Sequence, residues 1–279
     1  MPHRFPIPCR KKPFFRYWAI SAANCATGTS ISGRPSTPPA TPTNFDDSLQ
    51  RVVLGPADEH RTASGLQYKV LPGNVGYIRC SSFNTAIGEG NLHEILRYFA
   101  LCNALIVDIR SNGGGQLTSA ETLASAFTNR TLTVGYLTHK TGPAHDAFST
   151  PKAVRLSPLS GFRWQKPVAV LINRRTYSAA NAFTMYMKTI PGVILVGDRT
   201  GGGSGLPFSS ELPGGWSIRL SASPTLDVNG EHTEFGIAPD VRSHLGANDR
   251  LNGKDSMIET AVHELRARHD SLSKAAALR

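Results

Sequence analysis

Residues 104–115, ALIVDIRSNGGG, and residues 167–181, PVAVLINRRTYSAAN, decide how this chain folds. Each opens with an unbroken apolar run of strand length. Such a run lacks the alternation of a half-exposed strand and suits one covered on both faces. Each then ends in a polar junction: a triple glycine at 113–115, or Thr176-Tyr177-Ser178 leading into a helical pattern over 178–188. Working outward, Val75–Cys80 reads as a strand after the turn signal Pro72-Gly73-Asn74, as do Leu132–Leu137 and residues 193–196. Leu92, Ile95, Leu96 and Phe99 recur at helical spacing, and so do Leu117, Leu123 and Phe127. Residues 208–212 and 216–221 pair as a hairpin across Pro213-Gly214-Gly215, and Asp255 caps a last helix with Ile258, Val262 and Leu265 on one face. Buried strands alternating with helices predict an α/β fold.

With 279 residues, 40% of them apolar and 18% charged, the chain is long enough to bury one substantial core. No stretch reaches the 18 or so uninterrupted apolar residues of a spanning helix. The net charge of +10 is uneven: Arg4, Arg10, Lys11, Lys12, Arg16 and Arg34 all precede the first acidic residue, Asp46, and setting these six aside leaves +4. A basic arm can bind phosphates, but a solvated tail is the plainer reading, and nucleic acid is not expected as a partner. The start is basic like an export signal, yet Arg16, Ser21 and Asn24 interrupt its apolar centre, and the Ser/Thr/Pro-rich stretch that follows reads as a linker. Residues 1–45 are therefore an appendage, 46–73 a short lead-in, 74–245 the core and 246–279 a C-terminal helix. Cys9, Cys25, Cys80 and Cys102 have no framework or C-x-x-C spacing, and the nine histidines include no H-x-x-x-H or H-E-x-x-H pair. Neither a disulfide scaffold nor a metal or organic cofactor is indicated.

The two junctions carry the chemistry. Three glycines after a buried strand can turn sharply and present backbone N–H groups to an anion. The phosphate-loop motifs fail here, because G-x-x-x-x-G-K-[ST] and G-x-G-x-x-G are both absent. Ser178, where a strand meets a helix, can sit at the positive end of the helix dipole with small residues behind it. Serine is also simply a favoured helix cap, and the G-x-S-x-G elbow of α/β-hydrolases is missing.

Taken together and in order, five blocks resemble a known family: GYIR (76–79), DIRSNGGG (108–115), TYSAAN (176–181), VGDRTGGG (196–203) and FGIAPD (235–240). They are similar to the peptidase core of the carboxyl-terminal processing proteases, the tricorn core peptidase and the repeats of interphotoreceptor retinoid-binding protein. The run 201–211 is most like bacterial members that lack a PDZ domain. The resemblance implies a crotonase/ClpP-like ββα spiral, a polypeptide substrate and an exported location, periplasmic, cell-envelope or secreted, with the cytoplasm as the alternative. By position it makes Ser178 the nucleophile, with an oxyanion hole from the N–H of Ala179 and an N–H of the Gly114/Gly115 turn.

The general base is where this chain departs from the family. Members with a Ser–Lys dyad carry the lysine at the position of Gly203, and the tricorn-type histidine falls at Arg79. Candidate bases are His139 and His145 in THKTGPAHDAF, His232 near the F-G-I-A-P-D block, and further off Lys140, with Glu234 as an orienting acid. Asp108 and Arg110 read as a structural pair, and Asp240 as a turn residue. The expected activity is serine endopeptidase action on extended polypeptides. The alternative is an inactive module on the same fold that binds peptide or apolar ligands.

Overall fold

The computed structural model describes residues 53–144, 146–212, 216–246 and 248–277. The expectations for residues 1–45, for Cys9 and Cys25, for His145 and for the hairpin turn at 213–215 lie outside them. In chain order the first six strands are β1 (Arg61–Ala63), β2 (Leu66–Leu71), β3 (Val75–Cys80), β4 (Ala104–Asp108), β5 (Leu132–Leu137) and β6 (Lys152–Leu156). The rest are β7 (Val168–Ile172), β8 (Val193–Gly197), β9 (Pro207–Leu212), β10 (Trp216–Ser221), β11 (Thr225–Leu226) and β12 (Val241–Arg242). The helices are α1 (Glu89–Tyr98), α2 (Leu117–Ser125), α3 (Ala179–Lys188) and α4 (Ser256–Ala277), with a helical turn at Asp249–Asn252.

The chain divides into two units. The described part of one is residues 206–212 and 216–222; the other holds the remaining described residues. The larger unit is built on a seven-stranded sheet in the order β1-β2-β3-β4-β7-β8-β12. From β3 to β12 neighbouring strands run parallel, while β1, β2 and β3 pair antiparallel. The apolar runs are explained by cover on both sides. Ile78, Leu105, Val107, Val170 and Leu195 pack with Leu92, Ile95 and Leu96 of α1, with Phe99 at its C-terminal end, and with Phe183 of α3. The alternate residues Tyr77, Ile106, Ala169, Leu171 and Ile194 meet Ile258, Ala261 and Leu265 of α4. A second sheet, β11-β5-β6, is antiparallel.

The lead-in at 46–73 does more than its short apolar content suggested. Its residues 61–71 form the β1–β2 hairpin, which widens the main sheet. Ser64 and Gly65 take φ of 49° and 73° between Ala63 and Leu66, the signature of a two-residue turn whose twist suits a hairpin. Strand β6 was also unannounced, since only Leu156 among its residues is fully buried.

In the smaller unit β9 and β10 pair antiparallel with Leu220 opposite Phe208 and Ile218 opposite Ser210. The register puts Phe208, Trp216, Ile218 and Leu220 on one face and Ser209, Glu211, Ser217 and Arg219 on the other.

Candidate active site

The two junctions of the sequence end adjacent parallel strands, β4 and β7, and are bonded to each other across some sixty residues of chain. Ser111 N–H donates to Asn173 Oδ1 at 2.9 Å, Thr176 Oγ1 donates to the Ile109 carbonyl at 3.1 Å, and Tyr177 N–H donates to the Asn112 carbonyl at 2.9 Å. Asn112, fully buried, shapes the glycine turn from within: its Oδ1 accepts the Gly114 N–H at 2.9 Å and its Nδ2 donates to the Cys80 carbonyl at 3.0 Å. The signal for this was the Ser-Asn-Gly sequence, since asparagine bonds its own backbone two residues on. Burial pushes the neighbouring Cys80 thiol up to about 12, so it stays protonated.

Ser178 holds φ 58° and ψ −122°, a conformation that favours glycine. It stands at the N-cap of α3, but its hydroxyl makes no capping bond, and no described residue hydrogen-bonds its Oγ. The cap reading of this serine therefore fails. A non-glycine residue held in so sparse a region is strain that a fold keeps where the side chain is needed. The backbone is pinned on both sides: Ser178 N–H donates to the Gly202 carbonyl at 2.8 Å, and its own carbonyl accepts from Ala182 N–H at 3.0 Å.

Gly114 faces this serine. A β-carbon there would stand 2.7 Å from Ser178 Cβ and 2.9 Å from Ala179 N, so there is no room for any larger residue beside the serine. Gly115 abuts Phe83 instead, where a β-carbon would lie 2.4 Å from a backbone carbon. Because the Gly114 N–H is taken by Asn112, the turn's donors with no acceptor among the described residues are the N–H groups of Gly113 and Gly115, and of these Gly115 is the one next to Gly114, which faces the serine; Ala179 N–H, at the start of α3, has none either. A half-buried hydroxyl beside a helix N-terminus and uncommitted backbone donors suits attack on a carbonyl followed by stabilisation of the oxyanion.

Gly201 and Gly203 lie against the ring of Tyr177. A β-carbon on Gly203 would come 2.2 Å from Tyr177 Cζ. At Gly203, where the resemblance sets the dyad lysine, the aromatic ring thus occupies the space a side chain would need.

Under the site lies an ionic cluster. Arg110 donates to Asp108 Oδ2 at 2.6 Å and to Asp255 Oδ1 at 3.0 Å, and Tyr77 Oη donates to Asp108 Oδ2 at 2.7 Å. Burial pushes the Asp108 carboxyl up, but the charges of Arg110 and Arg79 outweigh it and hold it at about 2. Asp255 also caps α4, accepting from Met257 N–H at 3.1 Å and Ile258 N–H at 3.2 Å. Arg79, where the resemblance sets the tricorn-type histidine, belongs to this buried cluster, with Nη1 donating to the Asp108 carbonyl at 3.1 Å. Asp240 Oδ2 accepts from Leu195 N–H at 2.8 Å, as befits a turn residue.

The candidate bases are spread over two loops. His139 follows β5, and its Nδ1 pairs with Ser223 Oγ at 3.1 Å. Lys140 Nζ donates to the Ala144 carbonyl and lies 4.6 Å from the Phe148 ring centroid. His232 pairs with Leu226 beside β11, and burial lowers its pKa. Glu234 accepts Gly203 N–H at its carbonyl at 3.0 Å. Among the described residues, no group of three His, Cys, Asp or Glu side chains gathers as for a metal, and no helix is long and apolar enough to cross a membrane.

The class defined by fold and site is an α/β protein with a strained serine where a parallel strand meets a helix, faced by a glycine turn on the next strand. The chain belongs to peptidase family S41, whose model matches residues 74–243. It is 26% identical to the carboxy-terminal processing protease CtpA of Bacillus subtilis (strain 168) over 175 residues, 62% of this chain and 35% of that one. To the tricorn protease of Thermoplasma acidophilum it is 26% identical over 199 residues, 69% of this chain and 17% of that one. The chain therefore spans about a third or less of these relatives. A crystal structure from Parabacteroides merdae ATCC 43184, provisionally assigned as a peptidase, matches at TM-score 0.79 and 45% identity over 82% of this chain and 73% of that one. The resemblance read from five sequence blocks is met by all three comparisons.

Proposed function

We propose that this chain is a serine endopeptidase acting on extended or unfolded polypeptides. Ser178 Oγ attacks a peptide carbonyl, the amine leaves, and water releases the acyl group. The N–H groups of Ala179 and Gly115 receive the oxyanion, and Gly114 keeps its position open. One observation carries the reading: Ser178 is held at positive φ, yet its hydroxyl is spent on no described partner. Acyl transfer of this kind calls for no metal or organic cofactor. The base comes from the loops that bear His139, His145 and His232, with Glu234 as its orienting acid. We read the core at 74–245 as a crotonase/ClpP-like spiral, with α4 as its C-terminal addition and an exported location.

The test is hydrolysis of casein by the wild type and by Ser178→Ala. Activity lost in the variant supports the peptidase, and alanine variants of the three histidines then locate the base. Wild-type hydrolysis equal to that of Ser178→Ala rejects it. In that case the second reading, a peptide- or apolar-ligand-binding module, takes over. It is favoured by the observation that no described histidine or lysine hydrogen-bonds Ser178 Oγ.

A further inference from the structure

A fully buried amide, Asn181, stands one turn of α3 beyond Ser178. Its Nδ2 donates to the Thr233 carbonyl at 2.9 Å and to Ser204 Oγ at 2.5 Å, while its Oδ1 and Thr200 Oγ1 are 2.5 Å apart. A carbonyl oxygen can only accept, so Thr233 settles which end of the amide is nitrogen. Thr200 Oγ1 accepts the Ile237 N–H at 2.6 Å and gives its own proton to Asn181 Oδ1. Both amide protons of Asn181 are then committed, one to Thr233 and one to Ser204. Ser204 Oγ is the acceptor in its pair, so its proton is left to donate, and no described residue takes it.

The direction of the whole chain of bonds follows: Ile237 N–H to Thr200, Thr200 to Asn181, Asn181 to Ser204, and Ser204 outward. Each donation polarises the next, so the last hydroxyl is a better donor than a lone serine. Ser204 is half-buried, and its carbonyl is held by Thr225 Oγ1 at 2.8 Å. It closes the same short loop whose Gly202 carbonyl accepts the Ser178 N–H.

We propose that the Ser204 hydroxyl is a substrate-contacting donor that takes a main-chain carbonyl of the extended peptide bound at Ser178. This rests on the site binding peptide, whether or not it cleaves it. A main-chain carbonyl is the fitting acceptor because every residue of a polypeptide offers one, so the contact sets register and leaves sequence preference to other groups.

The experiment uses the full chain carrying Ser178→Ala, which cannot turn over, and a fluorescent casein-derived peptide followed by anisotropy. Adding Ser204→Ala is expected to weaken binding about 3- to 10-fold, the worth of one neutral hydrogen bond; it also takes the acceptor from one buried Asn181 amide proton, so the melting temperature falls and the affinities are compared well below it, with both proteins shown folded by circular dichroism. Equal affinity with and without Ser204→Ala overturns the proposal, as does absence of peptide binding to the Ser178→Ala protein. Because no turnover is involved, a wild type that fails to hydrolyse casein sinks the peptidase reading without touching this result.

Discussion

The site turns on what two glycines lack. Gly114 has φ 102° and no room for a β-carbon beside Ser178, so Gly114→Ala would crowd the hydroxyl and shift the turn that carries Gly115 N–H. Loss of one oxyanion donor costs on the order of 100- to 1,000-fold in kcat, and that is the expected fall in casein hydrolysis, with circular dichroism unchanged. Gly203 makes the opposite point. Gly203→Lys, which puts a lysine where the resemblance sets the dyad lysine, has to displace the Tyr177 ring from a 2.2 Å approach. It is expected to lower the melting temperature and give no gain in hydrolysis rate. These contacts were not legible in the residues. The triple glycines at 113–115 and 201–203 announced tight turns, but what each one admits depends on a partner far along the chain.

At the level of elements, the ionic cluster joins β4, the turn that follows it and α4. Arg110 bridges Asp108 to the capping residue Asp255, both of which are buried. Arg110→Met removes the cation from two buried carboxylates and is expected to cost about 3–5 kcal/mol, read from urea unfolding. The Asp108–Arg110 pair was legible, because residues two apart at a strand end can bond locally. The cap at Asp255 was legible too, from an acid just ahead of a helical pattern. That the two meet was not, since 145 residues separate Arg110 from Asp255. The same limit hid β6 and the β1–β2 hairpin: half-exposed strands depend on a neighbour to pair with more than on their own composition.

Across the whole molecule, α4 covers one face of the parallel sheet through Ile258, Ala261 and Leu265. Leu265 is fully buried there, so Leu265→Ala is expected to cost about 2–5 kcal/mol. Acid should act through the cluster beneath this helix. Asp108 is held at about 2 in the fold, below its unfolded value of about 4. Its contribution, on the order of 2 kcal/mol, is present above pH ~4 and is lost as pH falls from ~4 through ~2. Melting followed over that range should show the loss, and Asp108→Asn should flatten this part of the curve.

The sequence by itself determined the strands that form the centre of the sheet, the helices that flank them and the serine at a strand–helix junction. Apolar periodicity and turn chemistry act over a few residues and need no partner. Only the tertiary structure decided which donors of the glycine turn stay uncommitted, what fills the side-chain space at Gly203 and that Ser204 Oγ accepts from Asn181. Those outcomes depend on sheet order, which sets β4 beside β7 and brings together loops whose residues are distant in the chain.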